Sequence, residues 1–320
     1  MLNDATDADA IKRAGFIAIL GAPNAGKSTL VNHLVGTKVA IVTHKVQTTR
    51  FPVRGVAQIG DAQLVLVDTP GIFQANKRLD RAMVKSAWSG AEDADAIVHL
   101  VDATAWIAER QESASPAQKK SVEDDRRIMK TLKRFGQKVF LALNKIDQFP
   151  HSEVLPLMAE FSETGLYTEI FMISALNGDG LDTLSETLAN SMPEGGPLFP
   201  PDQTADLPLR LLAAEITREK LMLRLHQELP YQLMVETESW EPFDDGSVRI
   251  RQAVVVAREA HKGIVLGKGG SAIKAVGKAA REELIELLDQ PVHLILFVKV
   301  DPKWQERRDA YTLFGLEFDA

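Results

Sequence analysis

Gly21-Ala22-Pro23-Asn24-Ala25-Gly26-Lys27-Ser28 fits the pattern G-x-x-x-x-G-K-[ST]. It stands between an apolar run, Phe16-Ile17-Ala18-Ile19-Leu20, and a helical pattern that opens at Thr29. No other stretch limits the fold as much. A glycine-bearing loop between a strand and a helix can turn its backbone N–H groups inward, and the helix adds the positive end of its dipole at the same point. The result is a phosphate cradle, and such strand–loop–helix units occur in α/β sheets whose ligands bind at the carboxyl ends of the strands.

The rest of the N-terminal part agrees. Short apolar runs at 16–20, 53–59, 63–68, 95–101, 138–143 and 169–173 read as strands. Helical patterns fill 27–36, 78–92, 121–135, 152–164 and 180–190. The expectation is a mostly parallel sheet with helices on both faces. The exception is 53–59 with 63–68, which read as an antiparallel hairpin across Gly60-Asp61. The polar stretch from Ala103 to Asp125 reads as a surface insertion. Met192 to Pro208 carries Pro193, Pro197, Pro200, Pro201 and Pro208 with Gly195 and Gly196, the composition of a linker.

After the linker the pattern changes. Leu209 to Leu229 reads as one amphipathic helix, Tyr231 to Glu238 and Ser247 to Ala257 as strands. Gly267-Lys268-Gly269-Gly270 reads as a turn opening a helix to about Leu288, and Val292 to Val300 as a last strand. The order is α-β-β-α-β, an α+β domain. The domains are therefore an N-terminal tail over 1–13, an α/β domain over 14–192, a linker over 193–208, the α+β domain over 209–304 and a C-terminal tail over 305–320.

Bulk properties exclude more than they assign. The length of 320 residues suits two domains, and 45% apolar with 25% charged residues is ordinary for a soluble chain. A net charge of −7 gives no whole-molecule attraction to nucleic acid or anionic lipid, so such binding needs a local patch. With no cysteine there is neither a disulfide nor a thiolate metal site. Met1 to Ala10 lacks the basic start and apolar stretch of a signal peptide, and no run nears the ~18 apolar residues of a membrane span. A cytoplasmic monomer is expected.

Three motifs at strand ends divide one ligand among them. In the loop, Lys27 is placed to reach the β- and γ-phosphates and Ser28 to hold Mg²⁺. Asp68-Thr69-Pro70-Gly71 closes a strand, so that Asp68 can hold Mg²⁺ through water and the Gly71 amide can meet the γ-phosphate. Asn144-Lys145-Ile146-Asp147 closes another. Asp147 can accept from N1–H and N2–H₂ of guanine, and adenine, having neither, would leave the carboxylate unpaired. Asn144 can steady the loop and contact the ring edge, and the Lys145 stem can cover the base. Ser174-Ala175-Leu176 closes the far side, with the Ala175 amide toward O6. The ligand implied is GTP, touching Gly21 to Thr29, Asp68 to Ile72, Asn144 to Asp147, and Ser174 with Ala175.

Thr49 is the first choice to complete the metal shell, with Thr48 the alternate. Lys27, Thr49 and Gly71 are the expected catalytic groups. Ile72 stands close to where a water-orienting glutamine can occur, so intrinsic turnover should be slow. Asn24 can offer a carbonyl to K⁺ beside the phosphates. His44 reads as a surface-loop residue and His99 as a packed core residue.

In the second domain Arg258, Lys262, Lys268, Lys274, Lys278 and Arg281 gather around the G-x-x-G turn, a basic face on an acidic protein. Glycines there let a single-stranded backbone approach, while lysine and a helix N-terminus meet phosphate and an apolar groove accepts bases. The expected RNA contacts are Ile264, Gly267, Lys268, Gly269, Gly270, Ile273, Lys274 and Lys278.

With these residues in place the chain resembles the bacterial Era GTPases over nearly its whole length. The likeness rests on Gly21–Thr29, Gln47-Thr48-Thr49-Arg50, Asp68–Gly71, Asn144–Asp147, Ser174-Ala175, and Gly267–Gly270 followed by Ile273-Lys274. Pro291–Leu294, Val298–Val300 and Trp304 extend it. The resemblance implies a P-loop GTPase domain joined to a KH domain, and binding near the 3′ end of 16S ribosomal RNA. It also implies a role in small-subunit assembly and a peripheral association with the inner face of the cell membrane. The motif placement adds the expectation that GTP gates RNA binding. Two rivals stand beside it: an RNA-binding protein whose nucleotide domain is a scaffold, and a P-loop kinase for a small metabolite.

Overall fold

The computed structural model describes residues 11–75, 77–226 and 229–319; the expected N-terminal tail lies mostly outside them. Tertiary contacts divide the chain into two units. One comprises the chain to Ala40, Thr49–Asp206 and Asp319 onward; the other comprises Ile41–Thr48 and Leu207–Phe318.

The first unit is built on a sheet in the order β2-β3-β1-β4-β5-β6. Its strands are β1 (Arg13–Leu20), β2 (Val53–Ile59), β3 (Ala62–Asp68), β4 (Ala96–Asp102), β5 (Lys138–Asn144) and β6 (Glu169–Met172). All pairings are parallel except the β2–β3 hairpin. β3, β4 and β5 read as near-continuous apolar runs because they are buried on both faces, which is the expected signature of a covered parallel sheet. Register then sets the site. Ile19 pairs with Asp68 and Asp102 with Asn144, so the motif-bearing strands end at the same edge.

Helices α1 (Lys27–Val35), α2 (Arg78–Glu92), α3 (Ala103–Arg110), α4 (Pro116–Leu132), α5 (His151–Glu163) and α6 (Leu181–Ser191) surround that sheet. The expected insertion at 103–125 is instead α3 and the first half of α4. Trp106 and Ile107 enter a core with Val122, Leu141, Leu143 and Phe161. Ser115 caps α4 in a reciprocal box with Gln118, and Pro116 stands at the first helical position. High polarity hid this, because α4 buries only one stripe.

The proline-rich stretch is likewise not free. The Gln63 carboxamide, fully buried, accepts from the amides of Leu198 and Phe199 at 2.7 and 2.9 Å and donates to the Phe199 carbonyl at 2.9 Å. Val56 N–H donates to Thr204 and Asp206 N–H to Arg54, so the stretch covers the open edge of β2.

The second unit has α7 (Leu209–Arg224), β7 (Leu233–Pro242), β8 (Val248–Val256), α8 (Glu259–Leu266), α9 (Ser271–Leu288), β9 (Val292–Val300) and α10 (Arg308–Leu313). The sheet order is β7-β8-β9, antiparallel then parallel. The parallel pair requires a crossover, and α8 and α9 supply it. The order is therefore α-β-β-α-α-β-α: the expected α-β-β-α-β lacks α8 and α10, and α7 stops at Arg224 rather than Leu229. Trp304, Tyr311, Phe314 and Leu316 are buried, so the residues after 304 are packed and not a tail. Tyr311 O–H donates to the Gln305 carbonyl, and Arg307 lies 3.1 Å from Asp301 and 3.4 Å from Glu236. Among the described residues no helix is long and apolar enough to cross a membrane.

Candidate functional site

The loop from Gly21 to Ser28 is shaped by backbone conformations that few residues accept. Asn24 has φ 65° and Gly26 φ 104°. A Cβ at Gly26 would lie 2.3 Å from Asn144 Nδ2, so that position needs glycine on both counts. Asn144 is the staple behind the loop. Its Nδ2 donates to the Ala25 carbonyl at 2.8 Å and its Oδ1 accepts the Ala175 amide at 2.9 Å. One buried carboxamide thus joins the P-loop, the end of β5 and the Ser174-Ala175 loop. The expectation that the Ala175 amide points at guanine O6 meets a competing bond here, since that donor is on Asn144.

Beneath the loop three groups from distant stretches converge. Ser28 Oγ donates to Asp68 Oδ2 at 2.7 Å, Thr49 Oγ1 donates to the same oxygen at 3.0 Å, and the two hydroxyls lie 2.9 Å apart. Of the two threonines, Thr49 is the one in this cluster. Thr48 Oγ1 turns to the Lys45 carbonyl at 2.7 Å and to Thr43.

The charges in this site are ill at ease. Lys27 is buried, and its ammonium donates to the carbonyls of Gly21 and Ala22 at 3.1 and 2.9 Å. Burial lowers its pKa to about 8, against the pull of Asp68. Asp68 is fully buried, and burial raises its pKa while bonds from Ser28, the charge of Lys27 and the bond from Thr49 oppose the rise. Its Oδ1 has no hydrogen-bond partner among the described residues. A buried carboxylate oxygen left unmatched beside two hydroxyls suits a hard divalent cation with oxygen ligands. Among the described residues no cluster of three or more His, Cys, Asp or Glu could hold a metal, so this mixed set is the candidate.

The turn after β3 is locked to the loop by the Ile72 amide, which donates to the Gly21 carbonyl at 3.1 Å. The Ile72 side chain packs in the core with Leu20 and Ala87, so it does not line the site as a nucleotide contact. Thr69 Oγ1 donates to the Ile19 carbonyl at 2.7 Å, a structural bond. Ile146 is likewise buried, while Asp147 beside it is exposed. Lys145, at φ 68°, extends its ammonium to Asp102 Oδ2 at 2.5 Å. Asp102 was not anticipated; strand register sets it at the end of β4 directly beside Asn144. His44 is exposed. His99 is fully buried, with Nδ1 2.8 Å from the Tyr167 hydroxyl.

In the second unit the turn Gly267–Gly270 joins α8 to α9. Lys268, Lys274 and Lys278 are exposed, and Ile264 is 57% exposed although apolar. Among the described residues Lys278 forms a 3.8 Å surface pair with Glu282, a weak interaction between exposed side chains. Ile273 is half-buried and packs against the core cluster that includes Leu221, Val254 and Val276.

Similarity to known proteins extends over both units. Residues 16–145 match the family described as 50S ribosome-binding GTPase, and residues 228–305 match the KH domain. The chain is 56% identical to the GTPase Era of Caulobacter vibrioides (strain NA1000 / CB15N), covering 98% of this chain and 99% of that one. It is 57% identical to the GTPase Era of Maricaulis maris (strain MCS10), covering 97% and 99%. A crystal structure of Era in complex with MgGDPNP and nucleotides 1506-1542 of 16S ribosomal RNA superposes with a TM-score of 0.86 at 42% identity, covering 95% of this chain and 99% of that one. An Aquifex aeolicus Era variant bound to GDP and tetrafluoroaluminate superposes at 0.85, also at 42% identity and with the same coverage.

Proposed function

The chain belongs to the Era family of GTPases, and from that membership we propose a GTP-gated factor that binds the 3′-end region of 16S ribosomal RNA and acts in small-subunit assembly. The observation that carries the reading is the meeting of Ser28, Thr49 and Asp68 within 3.0 Å beneath the phosphate loop. The related structure with both MgGDPNP and ribosomal RNA supports the pairing of the two ligands.

Hydrolysis forms a bond from water oxygen to the γ-phosphorus and breaks the bond to the β–γ bridging oxygen, giving GDP and phosphate. Lys27 exchanges its two loop carbonyls for phosphate oxygens and so gains the counter-charge that burial denies it. Gly71 offers its amide to the γ-phosphate, and the Ile72–Gly21 bond holds that amide near the loop. Ser28, Thr49 and Asp68 would hold Mg²⁺, which supplies positive charge between the β- and γ-phosphate oxygens. Ile72 is turned into the core and cannot orient water, so intrinsic turnover is slow. Asp147 selects guanine, and Asp147→Asn should cut the preference for GTP over ATP at least about a hundredfold in a competition assay. Unchanged preference would remove the base reader, and equal binding of ATP by the native chain would favour a metabolite kinase.

In the second unit Lys268, Lys274 and Lys278 meet phosphates, and the exposed Ile264 meets bases. Gating requires RNA to bind the GTP form more tightly than the GDP form, and GTP to bind the RNA complex more tightly by the same factor. Equal RNA affinity with a GTP analogue and with GDP would end it. The buried Ile72 favours one rival, a nucleotide domain that serves as scaffold; single-turnover hydrolysis with and without ribosomal RNA separates the two.

The same reading makes the protein a cytoplasmic monomer that also associates peripherally with the inner face of the cell membrane. It makes the Asn24 carbonyl a ligand for K⁺ beside the phosphates. Sedimentation with anionic vesicles tests the membrane association. Equal turnover in K⁺ and Na⁺ would remove the second cation.

A further inference from the structure

Strand parity divides the sheet of the second unit into two faces. Along β8, Ile250 and Val254 join the core, and Gln252 Oε1 accepts from Thr217 Oγ1 of α7 at 2.6 Å. Along β9, Leu294, Leu296 and Val298 pack against the same core. The residues between them, Arg249, Arg251, His293, Ile295 and Phe297, therefore stand on the opposite face. Register sets Arg249 beside His293 and Arg251 beside Ile295. One end of that face is closed. Met234, Ala253 and Val255 are fully buried there, and Arg307 from after β9 lies 3.4 Å from Glu236. The other end is open. Arg251 and His293 are exposed, and Ile295 and Phe243 are 43% and 42% exposed although apolar.

At the open end two guanidinium groups lie over rings. Arg251 stands over Phe297 with its central carbon 5.7 Å from the ring centre, and Arg249 over Phe243 at 5.3 Å. His293 meets Phe243 edge to face, with ring centres 6.2 Å apart. The two arginines are two residues apart on one strand, a spacing of about 7 Å. Guanidinium planes and aromatic rings are surfaces on which unpaired bases stack, whatever the base. Charge favours the same ligand. Glu241 offsets Arg249, while no carboxylate among the described residues forms a salt bridge with Arg251 or Lys299, both exposed. Asp245, in the turn before β8, is taken up by the Ser247 amide and hydroxyl at 2.9 and 2.6 Å. The face also adjoins the basic turn. β9 is the edge strand and borders both sides of the sheet. Leu296 packs inward, where a Cβ added to Gly277 of α9 would lie 3.5 Å from it. α9 is the helix that the Gly267–Gly270 turn opens, and Ile295 and Phe297 flank Leu296 on the outer side. A strand held at that turn has one sheet edge to cross.

We propose that this outer sheet face is a second contact for single-stranded RNA, separate from the groove at the G-x-x-G turn and continuous with it. Bases stack on the Arg251–Phe297 and Arg249–Phe243 pairs, and Lys299 meets phosphate. The inference rests on the proposed RNA binding at Gly267–Gly270.

The test uses the full-length chain and an RNA spanning nucleotides 1506-1542 of 16S ribosomal RNA, the segment present in the related complex. Arg251→Glu should weaken binding about tenfold, the size of one lost stacked base, with thermal unfolding unchanged because the side chain is exposed. Arg251→Lys keeps the charge and loses the plane, and should weaken binding about threefold or more. Native affinity in Arg251→Glu would overturn the inference. So would native affinity in Arg251→Lys alone, since bare charge would then account for the loss in Arg251→Glu. Ultraviolet crosslinking of the native chain to the same RNA, read by peptide mass spectrometry, needs no variant to fold. Crosslinks at Phe297 or Phe243 support the second contact, and crosslinks confined to residues 264–278 overturn it. Lys268→Asp with Gly269→Asp separates the two levels. If it retains full affinity, the reading of the turn fails. If it loses affinity and Arg251→Glu does not, only the second contact fails. A concentration-dependent dimer of the RNA-free chain that Arg251→Glu dissolves would make this face an interface between copies and overturn the proposal.

Discussion

Lys145 Nζ lies 2.5 Å from Asp102 Oδ2, so the turn after β5 is pinned to the end of β4 by an ion pair. The bond fixes the end of the lysine stem, which is proposed to cover the base. Asp102 also caps α3, accepting from the Thr104 amide at 3.0 Å and from its hydroxyl at 2.6 Å. Asp102→Ala should weaken guanine-nucleotide affinity by about tenfold and cost about 1 kcal/mol of stability through the lost cap. Asp102→Asn should keep the cap and lose only affinity. Fluorescent GDP titration with thermal unfolding checks both; native affinity in Asp102→Ala would show that the stem needs no pin.

Replacing Lys268 and Gly269 together by Asp should abolish RNA binding and leave GTP binding intact. A Cβ at Gly269 meets nothing within 4 Å, and Asp tolerates the φ of 59° better than most residues. The effect would therefore come from two negative charges set against phosphate, not from steric damage. Electrophoretic mobility shift with a 16S 3′-end oligonucleotide reads it, and retained RNA affinity would move the binding surface away from this turn.

Lys27 makes nucleotide affinity depend on pH. Burial holds its ammonium at about 8 in the free loop, and bound phosphates would favour its charge. Below about 8 the lysine is protonated before and after binding, so pH has little effect through this group. Above about 8 the free loop has lost the proton and must take one up, so affinity should fall by up to about tenfold per pH unit. Stability of the nucleotide-free chain moves the other way. The unfolded chain keeps its proton up to the ordinary 10.5 and the folded chain only to about 8, so this group adds stability as pH rises through that window. Calorimetric titration near pH ~9 in two buffers of different ionisation heat should show proton uptake on GDP binding. No uptake would mean that Lys27 is charged in the free loop at that pH.

Trp106→Ala tests whether the 103–125 stretch is integral. The indole is 4% exposed, its Nε1 donates to Asp125 Oδ2 at 2.9 Å, and its ring centre lies 4.7 Å from that of Phe161. Truncation opens a cavity and strands the fully buried Asp125, so a loss of about 3–5 kcal/mol is expected. Urea unfolding measures it. A loss below ~1 kcal/mol would make α3 a dispensable addition.

The phosphate loop, the Asp68 turn and the Asn144–Asp147 turn were legible because each compresses its chemistry into a few consecutive residues at a strand end. The sheet was legible because β3, β4 and β5 are apolar on both faces. What escaped was chemistry between stretches. Asp102 acts through strand register, and Arg218 acts on a carbonyl far back in the chain. Ile72 looked like a site residue by adjacency to Gly71, but its amide bonds Gly21 and its side chain turns inward. α4 was half missed because its polar majority outweighed the stripe of Val122, Asp125, Ile128 and Leu132 that it buries. The Gln63 carboxamide that fastens Leu198 and Phe199 gave no sign in a prolyl-rich stretch that otherwise reads as tether.

Because residues 41–48 are bonded to α7, no cut at a single peptide bond separates the two units. A shortened protein ending at Asp206 would keep that stretch and leave behind every α7 partner that shapes it. Such a fragment would carry residues 41–48 stripped of their hydrogen-bond partners, so measurements belong on the undivided polypeptide.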